Sequence, residues 1–312
     1  MQKAALRHPS ISLPTPDGIE SEDDFRAYVN QFRAAIDNQY IVPLSERLAQ
    51  AFPVKVRHGK ISGVPVEEFS PLEGNSDKRV LINLHGGGFF SGAVTVGRVE
   101  SIPMAYLGKF RVISVDYRQG YEHTYPAASE DVEAVYRELL RDYASANIGI
   151  YGGSAGGMLT AQAIAWIIEK GLPAPGVAGV FSSGAGSGGG DGTFFSRIGT
   201  AEPPLQAEFA RSFSRSTRFG YFSSVMPRDY LANPVDAPVE LLSKFPPTLL
   251  ITATRAFDLS PAIAFHRALS RAGAEASLHV FDGLGHCFYY NAFLPEADDA
   301  YHSVIRFFEE RL

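Results

Sequence analysis

Ser154 stands in Gly152-Gly153-Ser154-Ala155-Gly156-Gly157, directly after the apolar run Ile148-Gly149-Ile150-Tyr151 and directly before a helix-forming segment. A serine on a sharp strand-to-helix turn presents its hydroxyl above the sheet, and the Gly-x-Ser-x-Gly spacing suits such a turn because strand and helix pass too close for β-carbons. A chain with 30 glycines produces this spacing by composition alone, so the weight falls on the flanking elements and on partners elsewhere. A serine hydroxyl becomes a nucleophile for acyl transfer only with a base, an acid that orients the base, and donors for the developing oxyanion.

The chain offers residues for each role. His85-Gly86-Gly87-Gly88 closes an apolar run at 79–84, and a glycine-rich turn there directs backbone N–H groups outward. Gly87 and Gly88, with the N–H of Ala155, are the expected oxyanion hole. His286 ends Gly283-Leu284-Gly285-His286 after a β-rich segment at 277–281 and is the expected base. His85 reads as an anchor for its own loop, and His8, His58, His123, His266, His279 and His302 read as structural. For the acid, Asp258 follows the apolar run at 248–252, and the rival Asp282 lies four residues before His286, where it is better placed to brace that loop. Asp258 is the expected acid, although two residues, Ala256 and Phe257, separate it from the usual place of such an acid after its strand. Cys287 reads as a small packing residue beside the base.

These residues need a scaffold that brings loop ends together. Ser21-Glu22-Asp23-Asp24 has the form of a capping box, with Phe25, Val29, Phe32 and Ile36 behind it on one helical face, and a second helix follows Pro43. Residues 1–53 are therefore expected to be a helical segment, either packing or lid. From Val54 onward β-rich runs (Val54–Ile61, Val64–Phe69, 79–84) give way to alternation: helix at 97–110, strand Val112–Val115, helix at 127–143, strand Ile148–Tyr151, the helix after Ser154, and strand Val177–Phe181. That rhythm predicts an α/β fold with a mostly parallel, doubly wound sheet. The stretch 182–192 is rich in Gly and Ser and reads either as a flexible linker or as the rim of a mobile opening. Residues 185–242 carry many aromatics (Phe194, Phe195, Phe209, Phe213, Phe219, Tyr221, Phe222) and no clear strand, as expected of a helical insertion over the sheet edge. The core then resumes over 243–312: a strand at 248–252, a helix with Ser260 as N-cap, Pro261 at its first position and Gly273 past its end, a strand at 277–281, and a last helix with Val304, Ile305 and Phe308. The core is thus expected in two parts, 54–184 and 243–312.

At 312 residues and 45% hydrophobic content the chain has material for a large core. A net charge of -6 without a basic stripe argues against nucleic acid as partner. A single cysteine precludes an intrachain disulfide and a multi-cysteine metal site, and the first residues lack an apolar run. Together these lead to an expectation of a cytoplasmic chain with no stable membrane insertion and no multi-cysteine metal site.

His85-Gly-Gly-Gly88, Gly152-Gly-Ser-Ala-Gly-Gly157, Asp258 and His286 together resemble the hormone-sensitive-lipase-like esterases, the microbial family IV carboxylesterases of the α/β-hydrolase fold. The order Ser154, Asp258, His286 is that expected of such a hydrolase. The resemblance covers about 54–312, and residues 1–53 with 185–242 look like that family's two-part helical cap. It implies hydrolysis of short-to-medium acyl esters through an acyl-enzyme, with no metal and no cofactor, and frequent homodimers through the edge strand near 277–281; lactones are included because ring opening uses the same tetrahedral steps. Two other readings share the scaffold: amide or peptide cleavage by the same residues, and a small-molecule receptor, although related plant receptors lose the histidine that this chain keeps as His286. The chain departs from the family at Gly153, where an acidic residue or threonine is usual.

Overall fold

The computed structural model describes residues 12–74, 78–186, 218–226 and 228–312. Most of the 185–242 stretch, with Phe194, Phe195, Phe209 and Phe213, lies outside them. The strands are β1 Val54–Ile61, β2 Val64–Pro71, β3 Val80–Leu84, β4 Arg111–Val115, β5 Ile148–Gly153, β6 Val177–Phe181, β7 Thr248–Ala253 and β8 Ala276–Phe281. They form one sheet in the order β1-β2-β4-β3-β5-β6-β7-β8. β2 runs antiparallel to β1 and β4, and every other pairing is parallel. The continuous apolar runs are the central strands, every residue of β3, β5, β6 and β7 being buried, as a parallel sheet covered on both faces requires.

Alternation along those strands divides the core. Ile82, Ile150, Val180 and Leu250 point to the face covered by α4 (Ala127–Leu139), α5 (Ala155–Glu169), α6 (Val239–Leu242) and α7 (Leu259–Arg271), where Val132, Leu159, Leu242 and Phe265 lie in the same cluster. Leu81, Tyr151, Leu249 and Ile251 point the other way, to α2 (Val42–Ala51), α3 (Thr95–Leu107) and α8 (Pro295–Glu309), through Leu48, Ile102, Val304 and Phe308. Period-two side chains in strands and amphipathic stripes in helices suffice to produce these layers.

The first helix, α1 (Glu22–Ile36), begins at a complete capping box: Ser21 Oγ accepts from the Asp24 N–H, and the Asp24 carboxylate accepts from the Ser21 N–H. Its buried Phe25, Tyr28 and Val29 pack on Phe90, and Arg33 ties it to the same loop by donating to the Phe90 carbonyl oxygen at 2.5 Å and to Glu122 at 2.6 and 3.0 Å. The N-terminal helix is therefore fastened to the turn that follows His85–Gly88. Among the aromatics of the following insertion that are described, Tyr221 and Phe222 are buried beside Phe89 and Phe219 packs in the Phe25–Phe90 cluster.

One expected cap is corrected. Ser260 is inside α7, not at its N-cap; the helix starts at Leu259 and the capping position belongs to Asp258, whose side chain makes no cap hydrogen bond. The Asp258 carboxylate is engaged elsewhere, by Thr252 and His286, so it is not free to cap.

The crossing of β5 and α5 constrains sequence most sharply. A β-carbon at Gly152 or Gly156 would overlap the backbone carbonyl oxygen of Leu84 on the neighbouring strand, which has no freedom to swing away. Gly156→Ala is accordingly expected to cost about 3 kcal/mol or more in urea-unfolding stability. Gly59→Ala on β1, where a β-carbon meets nothing within 4 Å, should leave stability unchanged or raise it by up to about 1 kcal/mol.

Candidate active site

Four strand ends supply the site. β5 delivers Ser154, and its neighbour β3, in register with Leu84 opposite Gly152, delivers the His85–Gly88 turn. β7 leads to Asp258 and β8 to the His286 loop. Ser154 has φ 55° and ψ -121°, a strained conformation for a residue with a β-carbon, and it is held there from both sides. Its N–H donates to the Phe181 carbonyl oxygen at 2.8 Å, and its carbonyl accepts from Met158 N–H at 3.1 Å in the first turn of α5.

Ser154 Oγ lies 2.9 Å from His286 Nε2, and His286 Nδ1 lies 2.6 Å from Asp258 Oδ1. With Asp258 accepting, the proton sits on Nδ1, which leaves Nε2 to accept from the serine hydroxyl. The other carboxylate oxygen, Oδ2, accepts from Thr252 Oγ1 at 2.5 Å, so the nearly inaccessible Asp258 (2% exposed) has both oxygens engaged. The two extra residues before Asp258 are taken up by a turn in which Ala256 N–H donates to the Ala253 carbonyl oxygen at 3.1 Å. Phe257 within that turn stacks on the His286 imidazole, centroids 4.4 Å apart and planes at 29°. Asp282 does not face His286; its Oδ1 accepts from Thr254 Oγ1 at 2.9 Å and joins the β7 and β8 loops.

Burial disfavours the charged imidazole of His286, and the Asp258 carboxylate bonded to it favours that form, so that its pKa is raised from the ordinary value. Cys287 is buried at φ 52° and shapes the turn, its N–H donating to Ser182 Oγ at 3.0 Å. His85 is in the opposite state: burial lowers it to about 4, its Nδ1 is 2.7 Å from the Gly86 carbonyl oxygen, and its ring stacks on Tyr117 at 4.3 Å. It holds the loop as a neutral ring.

Gly87 and Gly88 follow with φ of 123° and 66°, dihedrals that suit glycine, and both are half-buried. Ala155 is the first residue of α5, where an N–H has no acceptor within the helix and the helix dipole favours negative charge. Among the described residues no cluster of three or more His, Cys, Asp or Glu could hold a metal ion, and no helix is long and apolar enough to cross a membrane.

Thr252, Phe257 and Glu100 are the members of the site that motif reading passes over. Only Glu100 leaves a trace in the sequence, as an acidic residue on the apolar side of a helix beside Val96, Val99 and Ile102.

Residues 81–290 match the family described as having the alpha/beta hydrolase fold. An esterase of Acinetobacter venetianus is 32% identical over 102 residues, 31% of this chain and 33% of that protein's length. An acetyl-hydrolase of Streptomyces hygroscopicus is 27% identical over 222 residues, 70% of this chain and 72% of its own length. Among solved structures, that of an esterase E25 superposes with a TM-score of 0.83 at 28% identity, covering 97% of this chain and 89% of that one. An esterase from the bacterial hormone-sensitive lipase family gives a TM-score of 0.75 at 26% identity over 93% and 97% of the two chains.

The charge balance at His286 is testable by NMR. The His286 ring is expected to titrate with a midpoint above the ordinary value of about 6.5, and in Asp258→Asn the midpoint should move down. A raised folded-state pKa also means that the contribution of this pair to stability is complete below about 6.5 and is lost as pH rises through the folded value. A His286 midpoint that is unmoved by Asp258→Asn would contradict the assignment.

Proposed function

Given that the chain belongs to the α/β-hydrolase family, in its hormone-sensitive-lipase-like branch, we propose that it is a serine hydrolase of carboxylic esters, with Ser154 as nucleophile, His286 as base and Asp258 as orienting acid. The observation that carries this reading is the continuous hydrogen-bonded series Ser154 Oγ, His286 Nε2, His286 Nδ1, Asp258 Oδ1. Relatives described as an esterase and an acetyl-hydrolase support the ester as the substrate class.

In the first half-reaction Ser154 Oγ attacks the ester carbonyl carbon while His286 Nε2 takes the hydroxyl proton. Negative charge collects on the former carbonyl oxygen, and the N–H groups of Gly87, Gly88 and Ala155 receive it. The imidazolium, stabilised by Asp258, returns the proton to the departing alkoxide, which leaves an acyl group on Ser154. Water then attacks the acyl carbon while His286 takes one of its protons, the acyl–oxygen bond to Ser154 breaks as His286 returns that proton to Ser154 Oγ, and the carboxylic acid departs. Lactones fit the same steps, with the alcohol remaining tethered to the acid.

Short and medium acyl chains are the expected substrates. Beside the oxyanion turn, Phe89 is stacked on Tyr221 at 5.0 Å and set edge-on to Phe222 at 4.8 Å, while Phe90 is covered by α1. These buried rings pack that side of the turn solidly, in keeping with an enclosed site.

Ser154→Ala and His286→Ala are each expected to lower turnover of p-nitrophenyl butyrate by at least about 10³-fold. Asp258→Asn should lower kcat by roughly 10⁴-fold, because the histidine then adopts the wrong tautomer, whereas Asp282→Asn should keep most of the activity. Full activity in Ser154→Ala overturns the proposal, and a loss in Asp282→Asn with turnover retained in Asp258→Asn reassigns the acid. Across acetyl, butyryl, octanoyl and palmitoyl esters, kcat/KM should be highest among the shorter chains; a maximum at palmitoyl would contradict the enclosed pocket.

A further inference from the structure

Glu100 is buried, 3% exposed, in the middle of α3, and its carboxylate reaches under the candidate site. Oε1 accepts from the Gly86 N–H at 3.1 Å and from Tyr290 Oη at 2.5 Å. Oε2 accepts from Asn83 Nδ2 at 2.7 Å, and Oε1 lies only 2.9 Å from where a β-carbon of Gly153 would stand. Gly86 begins the oxyanion turn and Gly153 immediately precedes Ser154. A single carboxylate is therefore hydrogen-bonded to the backbone of the turn expected to hold the oxyanion and packed against the elbow that carries the nucleophile.

Surrounding residues make room for it. A β-carbon at Gly153 would lie 2.9 Å from Glu100 Oε1 and 3.2 Å from Tyr290 Oη, and would overlap Tyr289 Oη, so Glu100 and two tyrosines occupy the space that a side chain at 153 would fill. Gly97, one turn earlier on α3, lets the helix approach β4 so closely that a β-carbon there would meet Ser114 Oγ. Ser114 Oγ in turn donates to Asn83 Oδ1 at 2.9 Å, which fixes the amide so that its NH₂ faces Glu100. On the far side Glu100 borders a cavity of about 20 Å³, enough for no more than a water molecule. The carboxylate is thus aimed at backbone and not at a ligand.

We propose that Glu100 is a positioning residue of the hydrolysis: it locks the Gly86–Gly88 turn to the Gly153–Ser154 elbow and so sets the distance between oxyanion donors and nucleophile. It works in place of a side chain at position 153. The proposal rests on the serine-hydrolase reading above. A buried carboxylate surrounded by donors is costly to replace, because an amide offers one acceptor oxygen and turns its own NH₂ toward groups that also donate. The displaced turn would then misplace the oxyanion donors, and misplacement by about 1 Å lowers rates by up to roughly 100-fold.

The test uses the full chain with p-nitrophenyl butyrate and a fluorophosphonate, comparing wild type, Ser154→Ala, Glu100→Gln and Tyr290→Phe, each checked by thermal melting. For Glu100→Gln, kcat should fall roughly 10- to 100-fold with KM changed less than about threefold, and the rate of Ser154 phosphonylation should fall in parallel, since the phosphonyl oxygen occupies the same hole. Tyr290→Phe removes one donor to the carboxylate and should lower kcat by a smaller factor, about threefold or more, again at unchanged KM. If Glu100→Gln does not accumulate as folded protein, Tyr290→Phe carries the test alone. A Ser154→Ala variant without activity, beside a Glu100→Gln or Tyr290→Phe variant with wild-type kcat and phosphonylation rate, overturns the Glu100 proposal and leaves the serine reading intact. A fully active Ser154→Ala variant overturns both.

Discussion

The close crossing of β5 and α5 over the Leu84 carbonyl is the constraint from which the rest of the molecule takes its form. It admits only hydrogen at the Cα of Gly152 and Gly156, and it forces Ser154 between them into a conformation that a residue with a β-carbon rarely holds. Such strain, of order 1–3 kcal/mol, persists only where surrounding structure fixes it. Here the fixing groups are the Phe181 carbonyl on β6, the first turn of α5, and the apolar clusters that cover both faces of the sheet. In return the hydroxyl stands clear of its own strand, at the level where the turns after β3, β7 and β8 converge.

Two buried carboxylates meet at this level, and their surroundings give them different work. Asp258 receives one hydrogen bond from a threonine that belongs to its own strand and one from His286, so its charge is spent on a single imidazole. Glu100 receives its bonds from groups on β3, on the turn that follows, and near the C-terminal tyrosines, so it acts as a tie between segments. Burial outweighs the surrounding donors, which favour the ionised form, and leaves the pKa of Glu100 raised to about 7. Neither carboxylate is exposed to screening by salt, which is why each has an effect that a surface ion pair lacks.

Much of this was readable in the sequence, and the limits of that reading are instructive. The central strands were legible because doubly buried strands are continuous apolar runs, and α1 because Ser21 and Asp24 form a capping box with local geometry. Ser154, His286 and the glycine turn could be picked out because each sits where a strand run ends. Asp258 was readable only by position, since the turn that folds Ala256 and Phe257 out of the way depends on Arg255, Ala253 and Leu284 in space. Its capping role was misassigned to Ser260 because Ser-Pro is a strong local helix-start signal, and local signals lose when a carboxylate is needed by a histidine from another strand. Glu100 could not be read at all as a partner of Gly86 and Gly153, because the contact joins residues far apart in sequence through a helix whose approach depends on Gly97.

The central claim is covalent: the acyl group resides on Ser154 between the two half-reactions. Acid quenching of the protein during turnover of p-nitrophenyl butyrate, followed by intact-mass and peptide mass spectrometry, measures it directly. The account predicts a species heavier by a single butyryl group, with the added mass on the peptide that contains Ser154 and absent from Ser154→Ala. Turnover with an acyl group found on any other residue would contradict it.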